Sequence, residues 1–372
     1  MAVQKITIEE FLELAKQYPV LDVRSPGEYE HAHIPAAHSL PLFTDEERKQ
    51  VGTAYKQQSR EAAIKIGLDF FGVKMKKMVE EAEGICNLEL GKKENARIKP
   101  QFQTTNSQPL LVHCWRGGMR SAGVAWLLDL YGFKVYTLVG GYKAYRKWVL
   151  AQFEKQYNFI VVGGYTGSGK TLLLHELIQK NKTVIDLEAL ANHKGSAFGS
   201  LGEKKQPRQE MFENMLAQAL ADTGSLILDK HPVSSIYIED ESQRIGNLQI
   251  PMPLWNTMRR SPVYFLDIPF SKRLDHITEE YGKFEKEHLA EAILRIQKRL
   301  GGLAAKNALN FLAENEYREC FRILLDYYDK WYSKGLNNRE NLSSLLNKIP
   351  CLSVDTQTNA EKLLTCNHVA AS

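Results

Sequence analysis

One octapeptide constrains the fold of this chain more than any other stretch. Gly164-Tyr165-Thr166-Gly167-Ser168-Gly169-Lys170-Thr171 has the pattern G-x-x-x-x-G-K-[ST]. The apolar run before it, residues 158–163, reads as a buried strand, and residues 172–180 read as a helix. That order predicts a strand, a phosphate loop and a helix that starts on the phosphate. The glycines let backbone N–H groups converge on one concavity, Lys170 reaches the terminal phosphates, and the Thr171 hydroxyl suits Mg2+. Gly164, Thr166, Gly167, Ser168, Gly169, Lys170 and Thr171 are therefore the expected phosphate- or diphosphate-binding residues. No further metal ligand is assigned.

Residues 183–188, 225–229, 236–241 and 262–268 read as further strands, and 207–221 as a helix. This βαβ order predicts a P-loop NTPase-like α/β core over residues 156–270. The acids at strand ends are site candidates: Asp186, and either Glu239 or Asp240 as the metal-facing residue, whereas Asp229 reads as a turn residue. Residues 271–372 are expected to form a helical C-terminal extension, with 352–354 as a last edge strand. Apolar residues at 289, 293, 296 and 300, and Phe321, Leu324, Leu325, Tyr328 and Trp331, interleave there with Arg295, Lys298, Arg299, Arg318 and Arg322. Two readings stand for these cations: ordinary solvated helix faces, or a basic surface for a nucleic-acid backbone with aromatic rings for stacking.

A second loop lies upstream. The apolar residues 109–112 lead into His113-Cys114-Trp115-Arg116-Gly117-Gly118-Met119-Arg120-Ser121, and a helix is expected over 121–131. A thiol at a strand end, facing a helix N-terminus, is placed to be a thiolate beside an anion cradle. Cys114 is the candidate catalytic residue, and Arg116, Gly117, Gly118, Met119, Arg120 and Ser121 form the candidate anion-binding loop. Strands at 20–24, 110–113 and 135–138 alternate with helices, which predicts a parallel-sheet domain over residues 1–150. A helical insertion spans about 43–108. Apolar positions 64, 68, 71, 75 and 78 within it suggest amphipathic helix. The insertion either packs on the sheet or walls the site, with Lys56 and Arg60 on phosphate.

Several residues near these loops have a structural reading beside a catalytic one. Asp22, Arg24 and Glu28 read as a structural ion pair, and Cys86 as an idle thiol. His113 and His193 stand open between acid–base work and packing. Residues 195–199 stand open as an RNA- or lipid-facing loop.

Composition excludes little. With 48 basic and 44 acidic residues the net charge is +4, which permits an RNA partner without demanding one. The five cysteines form no C-x-x-C pair, so neither a disulfide framework nor a zinc site is indicated. No apolar run reaches membrane-spanning length and the first residues lack a signal-peptide layout, so a cytoplasmic protein is expected.

Leu21-Asp22-Val23-Arg24, Glu28-Tyr29, His33-Ile34-Pro35-Ala36-Ala37, the cysteine loop and Leu138-Val139-Gly140-Gly141-Tyr142 together resemble a rhodanese domain. Such domains carry sulfur or selenium on cysteine. The loop departs from the common C-x-x-G-x-R-[ST] by one extra residue, which implies a wider cradle than plain thiosulfate transfer needs. With Gly52-Thr53-Ala54-Tyr55-Lys56-Gln57-Gln58, the phosphate loop, Asp186-Leu187-Glu188, His193-Lys194-Gly195-Ser196-Ala197-Phe198-Gly199, Glu239-Asp240-Glu241-Ser242 and Lys298-Arg299-Leu300-Gly301-Gly302, the whole chain resembles the tRNA 2-selenouridine synthase family.

The resemblance implies conversion of wobble 2-thiouridine in tRNA to 2-selenouridine. It implies selenophosphate and geranyl diphosphate as co-substrates, an S-geranyl intermediate, a selenophosphate supplier as partner and no membrane association. The phosphate loop would hold the prenyl diphosphate. Cys114 would hold selenophosphate or carry selenium covalently. Two other readings are an ATP-dependent sulfurtransferase acting on a small molecule and a non-catalytic, nucleotide-responsive rhodanese module.

Overall fold

A computed structural model describes residues 3–95, 109–224 and 235–370. The chain divides into two compact units, Met1–Ala151 and Gln152–Ser372. Both are α/β with a parallel five-stranded sheet, and the second carries a helical C-terminal region.

The first unit holds β1 (Gln4–Ile6), β2 (Val20–Asp22), β3 (His38–Ser39), β4 (Pro109–His113) and β5 (Lys134–Leu138). All pairs are parallel, in the order β1-β5-β4-β2-β3. All five residues of β4 are buried, as expected for a strand covered on both faces. The helix Ile8–Ala15 starts where Thr7 and Glu10 form a capping box, each side chain taking the other's backbone N–H.

The insertion contains helices Asp45–Gln57, Arg60–Gly72 and Met75–Asn95. The apolar positions 64, 68, 71, 75 and 78 fall on two of these helices. The chain turns at Val73, which is 83% exposed, and the turn lets Phe71 and Met78 enter the same core cluster. Leu68, counted in the apolar stripe, is 56% exposed. Residues 96–108 of the insertion lie outside the described residues.

The second unit holds β6 (Phe159–Gly164), β7 (Thr183–Ile185), β8 (Ile236–Glu239), the small antiparallel pair β9 (Arg244–Ile245) and β10 (Leu248–Gln249), β11 (Val263–Asp267) and β12 (Leu346–Pro350). The main sheet runs β12-β11-β6-β8-β7, again all parallel. The strand expected over 225–229 lies outside the described residues.

The last edge strand is 346–350 and not 352–354. Its Leu346 pairs with Val263 and its Pro350 with Asp267. Burial decides this: Ile349 points into the core, whereas Leu352 is 84% exposed. The region after residue 270 is thus not helical throughout, because it returns to complete the sheet. A final helix, Thr356–Ala370, sets Ala360 and Leu363 against Leu173, Leu174 and Leu177 of the helix that follows the phosphate loop. The intervening helices Phe270–Tyr281, Lys286–Leu300, Gly302–Ala313 and Tyr317–Asn337 share their own core, including Leu274, Ile293, Phe321 and Leu324.

In each sheet the middle strand of five, β4 or β6, runs into a glycine-containing loop and a helix. Loops at the carboxyl ends of central parallel strands are where α/β sheets open a crevice for ligands.

Candidate functional site

Cys114 follows the last residue of β4 and is 3% exposed. The helix begins at Met119, two residues earlier than expected, with Gly118 as its N-cap. Ser121, in its first turn, brings its Oγ to 3.3 Å from the Cys114 Sγ and to 3.1 Å from the Gly118 carbonyl oxygen. Burial pushes the thiol up. Hydrogen bonds from the Ser121 hydroxyl and from the backbone N–H groups of Ser121, Gly118 and Arg116 more than reverse this and hold it below its ordinary value. The loop is therefore built to favour a thiolate.

The Gly140-Gly141-Tyr142 turn holds this loop in shape. The Tyr142 N–H donates to the Cys114 carbonyl at 2.8 Å, and Lys143 N–H to Trp115 O at 3.0 Å. Gly141, at φ +58°, admits no side chain, since a Cβ there would stand 2.3 Å from the Cys114 carbonyl oxygen. Beneath the turn, the Arg24 guanidinium lies 3.8 Å from the Tyr142 ring centroid and pairs with buried Asp22 at 2.6 Å. Asp22 and Arg24 thus do structural work.

Glu28 differs from that pair. It takes Arg120 at 2.8 Å and Arg48 at 2.9 Å on the same carboxylate oxygen. Burial raises its pKa, and the two guanidiniums, Arg120 foremost, bring it below the usual value. Arg120 is thus oriented and largely neutralised by Glu28, while Arg116 is exposed at the mouth. Arg60 of the insertion reaches within 4.0 Å of the Met119 sulfur, so it flanks the loop; Lys56 is exposed one helix earlier.

Other titratable groups of this unit face inward. His113 is fully buried between Phe11 and Tyr142, and burial pushes it down, toward the neutral form. The Cys86 thiol is pushed up to about 11 by burial and by Glu83 and Glu89, which suits an inert residue.

In the second unit, Gly164, Gly167 and Gly169 all have positive φ. A Cβ on Gly164 would stand 2.5 Å from the Ser168 Oγ, and one on Gly167 would strike Ile277 at 2.6 Å. The Lys170 Nζ donates to the Gly164 carbonyl at 3.0 Å, and the Thr171 hydroxyl donates to Glu188 at 2.6 Å. Thr166 borders an apolar recess lined also by Phe198, Ile277, Tyr281, Phe321 and Leu324.

Of the three candidate acids, Glu239 groups with Glu188 and Glu241 near the phosphate loop, while Asp186 and Asp240 are engaged by other partners. Strand β7 stops at Ile185, and Asp186 caps the short helix Leu187–Ala191 by accepting from the Ala189 N–H while binding His175 at 2.9 Å. The turn brings Glu188, two residues later, onto Thr171. Asp240 is taken by the Tyr332 hydroxyl at 2.6 Å and by Arg339. Glu239 is fully buried and accepts the Glu188 backbone N–H at 2.8 Å; burial and the nearby carboxylates push it well up. Glu241 is the third member of this group. Burial and Glu188 push it up to about 8, with Lys170 pulling the other way. Its carboxylate lies over Gly195, where a Cβ would be 2.6 Å away. His193 packs against Gly199 and Gly246 and is pushed down by burial and by Arg295.

Two residues that brace the phosphate loop carried no local signal. Arg273, 3% exposed, donates to the Thr166 carbonyl at 3.0 Å and pairs with Asp329 at 2.7 Å. The Tyr332 hydroxyl accepts the Gly164 N–H at 3.1 Å. Both come from helices more than 100 residues downstream of the loop, and nothing in their sequence neighbourhood marks them.

Residues 157–348 match the family model of the tRNA 2-selenouridine synthase AAA domain, and residues 7–147 match that of the rhodanese-like domain. A tRNA 2-selenouridine synthase of Bdellovibrio bacteriovorus is 34% identical, with 91% of this chain and 94% of that protein covered. The chain belongs to the tRNA 2-selenouridine synthase family. A synthase of the same name from a Sulfurovum species is 35% identical over 84% of this chain and 87% of its own length. In Nitrosomonas europaea another is 36% identical, covering 71% of this chain and 63% of that protein. For a member of this family, a thiol loop in one unit and a phosphate loop in the other are the two places where chemistry can be built.

Proposed function

We propose that the chain exchanges sulfur for selenium in tRNA, converting wobble 2-thiouridine to 2-selenouridine with selenophosphate, through an S-geranyl intermediate formed from geranyl diphosphate. Family membership supports the coarser reading, a selenium-transferring tRNA-modifying enzyme. The observation that supports the finer one is that the chain holds two separate glycine-containing loops of different chemistry. One has a thiol favoured as thiolate, and the other a lysine-bearing phosphate loop.

Sulfur at C2 of the base is a poor leaving group, and alkylation makes it a good one. In the first step the sulfur attacks C1 of the geranyl group, the C–S bond forms, and the C–O bond to diphosphate breaks. Lys170 and the loop N–H groups stabilise the departing diphosphate. Thr171 and Glu188 offer hard oxygen donors that fit Mg2+, which when bound would add charge neutralisation at the diphosphate. In the second step the selenium of selenophosphate adds at C2, geranylthiol leaves with a proton, and water cleaves the Se–P bond to release phosphate and leave 2-selenouridine. The Cys114 loop, with Arg116 and the N–H groups of Gly118 and Ser121, takes the selenophosphate. A selenophosphate-producing enzyme must supply the donor. Among the described residues no helix is long and apolar enough to cross a membrane, and we assign the reaction to the cytoplasm, where tRNA is modified.

Mass spectrometry of 2-thiouridine tRNA, incubated with the protein and both donors and then with each donor omitted in turn, tests this. Geranyl diphosphate alone should give S-geranyl tRNA, and both together selenouridine tRNA. Selenouridine formed at full rate without geranyl diphosphate would remove the intermediate from the pathway.

A further inference from the structure

The helix Tyr317–Asn337 has two working faces. One face holds the phosphate loop: Tyr332 binds the Gly164 N–H, Ser333 meets the Tyr165 hydroxyl at 3.2 Å, and Asp329 pairs with Arg273. The other face carries Tyr327, Trp331 and Lys334, spaced four and three residues apart and so aligned as one stripe. Trp331 is 49% exposed, although the helical period counted it with the core residues Phe321, Leu324 and Leu325. Its ring centroid lies 6.3 Å from that of Tyr327 in an edge-on arrangement, and the Lys334 Nζ stands 5.3 Å over it. Arg299, from the neighbouring helix Lys286–Leu300, bonds the Tyr327 hydroxyl. At the far end Arg259 donates to the Gly335 carbonyl at 3.1 Å and lies 5.4 Å over Trp255.

Some cations of the region are paired with carboxylates. Arg318 is paired with Asp275, Arg322 with Glu319 and Asp326, and Lys194 with Glu280. Among the described residues no carboxylate stands within ion-pairing distance of Arg259, Arg299 or Lys334. Arg299 and Lys334 therefore set unpaired positive charge beside aromatic rings, one of them half open to water, while Arg259 at the far end lies near Asp240. Exposing a tryptophan costs hydrophobic free energy unless something covers it, and cations flanking its face exclude an apolar protein partner.

We propose that this stripe is a docking surface for a single-stranded segment of the tRNA substrate. A base stacks on Trp331, and the adjoining phosphates lie on Arg299, Lys334 and Arg259. The inference rests on the reading of tRNA as substrate. It assigns the surface by which RNA would be anchored on the helix that also braces the phosphate loop, so that one rigid element serves both.

The test is tRNA binding by the full-length protein, followed by fluorescence anisotropy over a series of salt concentrations. Trp331→Ala should weaken binding roughly tenfold, and Trp331→Phe should recover most of it. The pair Arg299→Ala and Lys334→Ala should lower the slope of log affinity against log salt by about one to two. At saturating tRNA the turnover of these variants should stay within about twofold of the parent, since none touches the reacting groups. Wild-type affinity and slope in all of them, beside a parent that binds tRNA, would overturn the surface. Competition by duplex RNA as effective as that by a single strand would also overturn it. A parent protein that binds no tRNA would instead remove the substrate reading itself. Should Trp331→Ala fail to fold, Arg299→Glu carries the same comparison.

Discussion

The Ser121 Oγ lies 3.3 Å from the Cys114 Sγ and also reaches the Gly118 carbonyl at 3.1 Å. The hydroxyl can donate to only one of them at a time. With a neutral thiol it serves the carbonyl, and with a thiolate it turns to sulfur. Ser121→Ala should therefore raise the pH midpoint of Cys114 by roughly one unit and slow its reaction at pH 7 several-fold. The rate of iodoacetamide reaction against pH, in a Cys366→Ser background that removes the exposed thiol, measures this. An unmoved midpoint would show that the backbone N–H groups alone set the thiolate.

The two loops should be separable. Lys170→Ala should cut geranylation by about a hundredfold or more, because a stabilising contact to the departing diphosphate is lost. It should still convert tRNA that is already S-geranylated. Cys114→Ala should do the reverse, accumulating S-geranyl tRNA with no selenium incorporated. Quantifying both tRNA species for each variant decides it, and a Lys170 variant that geranylates normally would defeat the proposed role of the phosphate loop.

Glu241 gives the second unit a pH-dependent stability. Its folded value of about 8 lies above its ordinary 4.5, so the folded state binds the proton more tightly between those limits. Stability from this group therefore falls as pH rises through that window. Glu241→Gln removes the term. The melting temperature of the variant should match the parent near pH 4.5 and exceed it by roughly five degrees at pH 8. Parallel melting curves at the two pH values would contradict the assignment.

Arg273 and Asp329 form a pair in which the arginine is almost fully enclosed. Arg273→Met leaves Asp329 without its partner and should cost about 3 kcal/mol of stability in urea unfolding. The double variant with Asp329→Asn should recover part of that. Because Arg273 also holds the Thr166 carbonyl, the single variant should impair geranylation more than selenium transfer. Equal loss of both would point to unfolding rather than to the loop.

Much of the site was legible because its determinants are local. The phosphate loop and the cysteine loop each need glycine at particular φ values, followed within a few residues by the start of a helix, and that is visible as spacing. The acids were not legible in the same way. Asp186 and Asp240 end strands as the pattern expects, but Asp186 turns to cap a helix, and Asp240 is taken by Tyr332 and Arg339 from more than 90 residues away. Glu188 reaches Thr171 through the turn at Asp186, and Glu241, after another strand, stands near Lys170. Trp331 was misplaced for a similar reason: helical period groups residues on a face but does not say how wide the covered part of that face is.

By itself, the sequence determined two glycine-containing loops, each at the end of a buried strand, one carrying a thiol and one a phosphate-loop pattern. Backbone geometry at a glycine is set by the residue itself and its immediate neighbours. Tertiary structure alone decided which charges remain available. Glu28 neutralises Arg120 across 92 residues and Asp329 holds Arg273, whereas among the described residues Arg299 and Lys334 have no carboxylate within ion-pairing distance. Ion pairing depends on distances of a few ångströms between segments far apart in the chain, and only packing sets those distances.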